Sequence, residues 1–554
     1  MKTRQPWLPP WGSGPCLLLG LLTLRPMQVE RIAYAATQRF TAPVLDHLAN
    51  DPFIREFLPL PADVEGLRRA AQERTFPAEQ RAVLCSVLEG QQAHLDMHPA
   101  VKANLERLQR PDCLTVTTGH QLCLFTGPLY VPYKILNAIR LARESEALLG
   151  RPVVPVFWMA TEDHDLAEVD HAIIRGNTVR WTDGGSGPVG RIRLSGMAQV
   201  IDAAVAALGL GAHAEWVERR LRAAYADGRT LAEATRQFVH DLFGHHGLVI
   251  IDGDDPELKR LFVPVMEQEL LHQVVQRSVS YADQRIAERY GVQAHVRELN
   301  LFHLRPGARS RMVPNADGVQ VLDGGPQWTM EDALQALRAR PQDFSPNVLL
   351  RPIYQEVVLP NIAYIGGGGE LAYWMQLRWT FQALQVPMPV VLLRTSAATI
   401  TTKHVQQWRE MGLALADAFA PVDPLKTAVA ERQASFSTDL ADEAAGLEGL
   451  YAAILVKAHR ADPTLRGAVE ARRTQALRGV ERLQKAMLRA AKREQAVSMR
   501  RIDNVHEALF PGGGLQERRD NFLPHVAAEG LEAVDRWLDL LNPLEKTFAV
   551  VVEP

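Results

Sequence analysis

The densest group of chemically capable side chains is Glu162-Asp163-His164-Asp165, followed by Glu168, Asp170 and His171. Carboxylates beside an imidazole can bind an amine, hold a metal or act as a general base. An amine must lose a proton before it attacks an acyl carbon, and an Asp–His pair can hold and deprotonate it. Asp163 and His164 are therefore the catalytic candidates, with Glu162 beside them in the binding set. The spacing matches no zinc pattern, so no metal is assigned. A solvated acidic helix start is the structural alternative. The apolar run Arg151 to Ala160, RPVVPVFWMA, favours a site: it reads as a buried strand that delivers the cluster at its carboxyl end.

A second group, Thr118-Gly119-His120-Gln121, follows another short β-branched run that begins at Leu114. Gly119 is expected to allow a tight turn and close approach by a ligand. After the Gly127-Pro128 break, Ile135, Ile139 and Ala142 fall at helical spacing, with Lys134, Arg140 and Arg143 as charges. A third group holds Arg351 and Tyr354-Gln355-Glu356, expected before a helix start. The run Gly366 to Gly369 then leads into Glu370, Tyr373, Trp374 and Gln376. Glycine amides can face an anion, but the lysine of a phosphate loop is missing, so a flexible turn is the alternative. Glu370, Tyr373 and Trp374 either close a pocket around an amino acid or sugar, or the two aromatics belong to the core. Arg518, with Gln516, Glu517 and Asn521, can take a carboxylate through two hydrogen bonds or clamp the tail.

These groups need a scaffold. Apolar runs at 114–118, 151–160, 247–252 and 389–393 alternate with helical segments. That pattern predicts an α/β fold with an elaborated Rossmann-like parallel-sheet core and insertions. Residues 27–110 read as mainly helical, and 176–194 as a hairpin-like insertion. Beyond about residue 400 the chain is rich in Ala, Leu, Arg, Glu and Gln. Leu447, Leu450, Tyr451, Ile454 and Leu455 form one stripe. Val469, Ala476, Leu483, Ala490 and Val497 recur every seven residues, with Val480 and Met487 as companions. This predicts a long α-helical coiled-coil domain, with an intramolecular antiparallel pair as the simpler packing. The expected divisions are an N-terminal extension at 1–26, the core at 27–400, the coiled-coil domain at 401–510 and a segment returning to the core at 511–554.

Composition narrows the function. With 554 residues, 47% hydrophobic and 23% charged, the chain resembles an ordinary soluble globular protein. A net charge of −3 offers no sign of a nucleic-acid binder. Cys16, Cys85, Cys113 and Cys123 have neither zinc spacing nor a dense disulfide pattern, which points to a reducing cytoplasm. Cys123 reads as a small buried hydrophobe rather than a nucleophile. Cys16 to Leu24 is too short to span a bilayer, and Arg25-Pro26 interrupt it, so no membrane partner is expected. An upstream extension or a misplaced start before Met27 is preferred to export.

Four ordered stretches resemble the bacillithiol-biosynthesis cysteine-adding enzymes (BshC). They are LTVTTGHQLCLFTGPLYVPYKILNAIRLAR from Leu114, VFWMATEDHDLAEVDH from Val156, RPIYQEVVLPNIAYIGGGGELAYWMQL from Arg351, and GGLQERRDNFLP from Gly513. The resemblance implies addition of cysteine to glucosaminyl malate through an amide bond, by a ligase that dimerises through its helical domain. It also favours a ligand-facing His120. The implied binding set is Thr118, Gly119, His120, Gln121, Tyr130, Lys134, Glu162, Arg351, Gly367, Gly368, Glu370, Tyr373, Trp374 and Arg518. ATP with Mg2+ is the candidate activating cofactor; a cysteine donor activated elsewhere is the alternative. The rival from another class is a noncatalytic dimeric scaffold that binds nucleotide or thiol precursors.

Overall fold

The computed structural model describes residues 28–553, so the expectations for 1–26 fall outside the described residues. Five parallel strands form the core sheet: β2 (Leu114–His120), β3 (Val153–Met159), β6 (Val249–Asp252), β12 (Asn361–Gly366) and β13 (Val390–Leu393). Their order is β13-β12-β2-β3-β6. Both faces of β3 are covered: Val154, Val156 and Trp158 enter one core cluster, and Phe157 and Met159 another. Burial on two sides is why this strand reads as a continuous apolar run. The central helix, Tyr130–Leu149, packs on β2 and β3 and ends at Gly150 in the left-handed conformation.

Several elements depart from the sequence reading. The strand β12, between β13 and β2, went unrecognised, because Asn361 and the glycines beyond it hide a fully buried run. The Arg351–Glu356 segment does not precede a helix but forms one, Arg351–Val358. The strand β1 (Gln28–Ala33) opens a region expected to be helical. The stretch from 301 to 346 folds as an antiparallel sheet of β7 (Leu301–Arg305), β8 (Ala308–Pro314), β9 (Gly318–Val321), β10 (Gln327–Thr329) and β11 (Phe344–Pro346). The expected hairpin at 176–194 lies earlier: β4 (His171–Ile174) pairs with β5 (Asn177–Arg180), so only its second strand falls in that stretch.

The arm is a pair of helices, Ala441–Ala461 and Arg466–Glu494, joined by a short turn and packed on each other. Leu447, Tyr451 and Leu455 are half-buried in this hairpin, as are Ala476, Val480 and Met487. The regular seven-residue row does not form one seam. Leu483 is 61% exposed, and Val497 lies beyond the helix break at Gln495.

The chain's end sits on the core. The strand β15 (Thr547–Glu553) pairs antiparallel with β1 and parallel with β14 (Ala397–Thr401). Glu517, fully buried, accepts from Arg394 at 2.7 Å and from the Ala397 amide at 3.0 Å. Asn521 donates to the carbonyls of Phe125 and Gly127 at 3.0 and 2.7 Å, which ties the tail to the loop before the central helix. No helix among the described residues is long and apolar enough to cross a membrane.

Removing one partner of a buried ion pair leaves the other charge without compensation. Glu517→Gln should therefore destabilise the fold by about 3–5 kcal/mol in urea unfolding. An unchanged midpoint would show that the pair does not clamp the tail.

Candidate functional site

All five core strands end at one edge, and a cleft of about 410 Å³ opens there. Its walls come from the segments just beyond the strand ends: Gln121 after β2, Glu162 and Asp163 after β3, Gly367–Glu370 after β12 and Arg394 after β13. The carboxyl edge of an open parallel sheet is where such folds hold ligands, because the loops there diverge.

The floor is a charge pair. Lys134, 1% exposed, donates to Glu370 Oε2 at 2.6 Å and to the Gly119 carbonyl at 2.5 Å. Glu370 also accepts from the Tyr364 hydroxyl at 2.5 Å and from the Gly367 amide at 2.8 Å. Burial alone would raise the Glu370 pKa, but the Lys134 ammonium and these donors outweigh it and hold the group at about 2. Gly119 lies inside β2 rather than in a turn. Its role is space: a Cβ there would stand 3.3 Å from Trp158 and 3.4 Å from Arg351.

One wall is basic. Arg351 reaches the Tyr373 and Tyr364 hydroxyls at 3.2 and 3.4 Å and the Gln355 amide oxygen at 3.3 Å, and makes no carboxylate pair among the described residues. Arg518 is exposed at the cleft, and among the described residues its side chain has no ion-pair partner. Arg394 is committed to Glu517 and stands over the Tyr130 ring.

Another part of the lining carries carboxylates. Gln121 donates to Asp163 Oδ2 and Glu168 Oε2, both at 2.6 Å. The other Asp163 oxygen accepts the His164 amide at 2.8 Å and faces Arg309 at 3.8 Å. Asp163 caps no helix; the short helix Leu166–Val169 starts at Asp165, which makes no side-chain cap. Glu162 is paired with Lys259 at 2.7 Å, and Lys259 also meets Asp254 at 2.7 Å.

The site residues expected from sequence divide. Gly119, His120, Gln121, Tyr130, Lys134, Glu162, Asp163, Arg351, Gly367, Gly368, Glu370, Tyr373 and Arg518 line the cleft. Thr118 does not: its buried hydroxyl donates to the Ile365 carbonyl at 2.8 Å and pins β2 to β12. Trp374 is also excluded. It is fully buried, stacked on Tyr364 and Phe381 with centroids 4.8 and 5.7 Å apart. His164 stands at the rim with its side chain 49% exposed, and its Nδ1 accepts from Arg309 at 3.3 Å. Asp170 and His171 pair with each other on the hairpin, outside the lining. Cys123 is buried and its thiol is pushed up to about 12, chiefly by burial, so it stays protonated. Sequence reasoning missed Arg309, Arg394 and Lys259. Arg394 follows β13 directly and Lys259 stands on the helix Pro256–His272 after β6, so both lie next to core strands; only Arg309 arrives from an insertion.

An α/β protein with a charge-lined cleft at the strand ends and a helical-hairpin arm defines a class: a small-molecule enzyme fold extended by a coiled coil. Residues 27–395 match the family described as bacillithiol biosynthesis BshC, N-terminal Rossmann-like domain, and 398–553 match its C-terminal coiled-coil domain. A relative in Flavobacterium johnsoniae is 33% identical, covering 95% of this chain and all of its own length. One in Salinibacter ruber is 31% identical over 90% of this chain and 95% of its own, and one in Shouchella clausii 29% over 85% and 89%. Each bears the name "Putative cysteine ligase BshC". The chain belongs to the BshC family of bacillithiol biosynthesis.

His120, 3.1 Å from the Tyr130 hydroxyl, is lowered from 6.5 to about 3, by burial first and then by Lys134. Between those values the folded ring binds fewer protons than the unfolded one, so its contribution is present above pH 6.5 and is lost as pH falls toward 3. His120→Gln should flatten the fall in unfolding free energy on acidification below pH 6.5, read from urea titrations at several pH values. An unaltered slope would remove His120 as its source.

Proposed function

We propose that this protein forms the amide bond between the cysteine carboxyl group and the amine of glucosaminyl malate. The observation that carries this reading is the division of the cleft. Among the described residues Arg351 and Arg518 make no carboxylate pair, and Asp163, 3.8 Å from Arg309, presents a carboxylate to the same cleft. A substrate with carboxylates at one end and an ammonium at the other matches that polarity. The malate carboxylates go to the arginines, where bidentate bonds fix them. The sugar ammonium goes to Asp163, which takes one proton so that the free amine can attack; a second proton leaves the nitrogen as the amide forms. His164, at the rim, passes the Asp163 proton to solvent.

A cysteine carboxylate is a poor acyl donor, so its oxygen must leave with another group. We assign that activation to ATP with Mg2+, the alternative being a cysteine donor activated beforehand. Gly368 and Gly369 open the helix Gly368–Met375 and supply the amide-rich edge that suits an anion. Among the described residues no three-ligand metal group lies in the cleft, so Mg2+ would enter with the nucleotide phosphates. The attack at Asp163 is the same for either donor. Thiol product without AMP would reject activation through an adenylate; no product with any donor would favour the binding scaffold.

The same reading makes the protein a cytoplasmic homodimer. Cys85, Cys113 and Cys123 are free thiols. Leu450, Val456 and Leu483 on the arm are 55%, 55% and 61% exposed, apolar side chains that the intramolecular hairpin leaves uncovered.

Asp163→Asn should lower single-turnover coupling by about 10²–10⁴-fold with an unchanged melting temperature. His164→Ala should cost about tenfold or less, as befits a rim relay with solvent beside it. Near-normal coupling by folded Asp163→Asn protein would take Asp163 out of the reaction.

Leu483→Asp should leave the fold intact and weaken self-association, because burying an unpaired charge is costly. Its mass across a dilution series should fall to that of the single chain. A mass equal to wild type throughout would place the dimer contact elsewhere.

A further inference from the structure

At the opposite edge of the sheet, before β6, the turn Gly244–His246 carries two adjacent histidines. They face Asp535 of the tail helix Glu532–Leu540. His246 Nε2 is 2.8 Å and His245 Nε2 3.3 Å from Asp535 Oδ1, and the rings stand 4.0 Å apart. One ligand atom from each residue falls within 4.8 Å of the others. The His246 side chain is 9% exposed, and its Nε2 has no hydrogen-bond partner although the carboxylate oxygen is so near. A buried ring nitrogen set 2.8 Å from a carboxylate oxygen, yet outside hydrogen-bond alignment with it, is an arrangement that two ligands of one cation can also take.

We propose that His245, His246 and Asp535 form a binding site for a divalent transition metal of the zinc class. Imidazole and carboxylate suit that class, and bonds of about 2.0–2.2 Å in a tetrahedral set put ligand atoms roughly 3.4 Å apart. The 2.8 and 3.3 Å separations need only small adjustment. The role is structural. The site lies away from the cleft and joins the tail helix to the turn that leads into β6. A cavity of about 540 Å³ with both histidines in its wall gives access.

One group competes. Arg143 Nη2 is 2.6 Å from His246 Nδ1. Coordination through Nε2 moves the ring proton to Nδ1, against the guanidinium N–H, so Arg143 must turn outward. Arg143 is exposed and has room to do so. The metal and the Arg143 contact are therefore alternative locks on the same turn.

The test uses the full chain stripped with chelator. Zn2+ should bind one per chain and raise the melting temperature, since a ligand that binds only the folded state stabilises it. Co2+ should give the absorption of a site with nitrogen and oxygen ligands. Asp535→Ala removes an exposed side chain and should weaken Zn2+ binding by about tenfold or more. Arg143→Ala removes a competing cation and should tighten it by about tenfold. Equal stoichiometry and affinity in wild type, Asp535→Ala and His246→Ala would place the metal elsewhere and overturn the proposal. So would the absence of one-to-one binding in both wild type and Arg143→Ala.

Discussion

The buried pair of Lys134 and Glu370 constrains everything at the cleft. An ammonium that is 1% exposed must find a carboxylate and further acceptors, or the fold carries an uncompensated charge. Its acceptors come from separate parts of the chain. The Gly119 carbonyl belongs to β2, and Glu370 follows the glycine run after β12. Tyr364 within β12 and the Gly367 amide complete the set. Satisfying one lysine thus sets the spacing between two core strands, the central helix and the glycine loop. It also removes Lys134 and Glu370 from the charges open to a ligand.

Similar reasoning applies around the rim. Arg394 is bound to Glu517 of the tail, and Glu162 to Lys259, which also meets Asp254 beyond β6. Each loop at the sheet's edge is therefore held by a partner distant in sequence. Such pairs add little net stability compared with apolar replacements, but losing one member is costly. Their value here is a cleft whose polar groups are already placed, which reduces the ordering needed when a substrate binds. Arg351 and Arg518 escape this pairing, and so does one face of Asp163 beyond its Gln121 and Arg309 contacts. The arm stands apart from these constraints: its helices meet each other through half-buried positions and leave leucines and valines exposed.

Local sequence determined a good part of this protein. The strands β2, β3, β6 and β13, the central helix and the helical arm were all legible, because a run buried on both sides or a repeat at helical spacing is a local signal. Most cleft residues were legible for a related reason: they follow strand ends, and in a parallel sheet those ends share one edge. The motifs also carried the family resemblance. Tertiary structure decided the rest. Whether Trp374 faced ligand or core depended on Tyr364 and Phe381. Thr118 became a strand pin only once β12, hidden by its asparagine and glycines, lay beside it. Arg309 reaches the site from an inserted sheet whose placement no local pattern encodes, and Lys259, on the helix after β6, became a partner of Glu162 only in the folded chain. The seven-residue row in the arm split because helix faces are assigned by what packs against them. Periodicity marks which residues share a face, whereas burial and pairing depend on contacts between segments far apart in the chain, and only the folded chain makes those contacts.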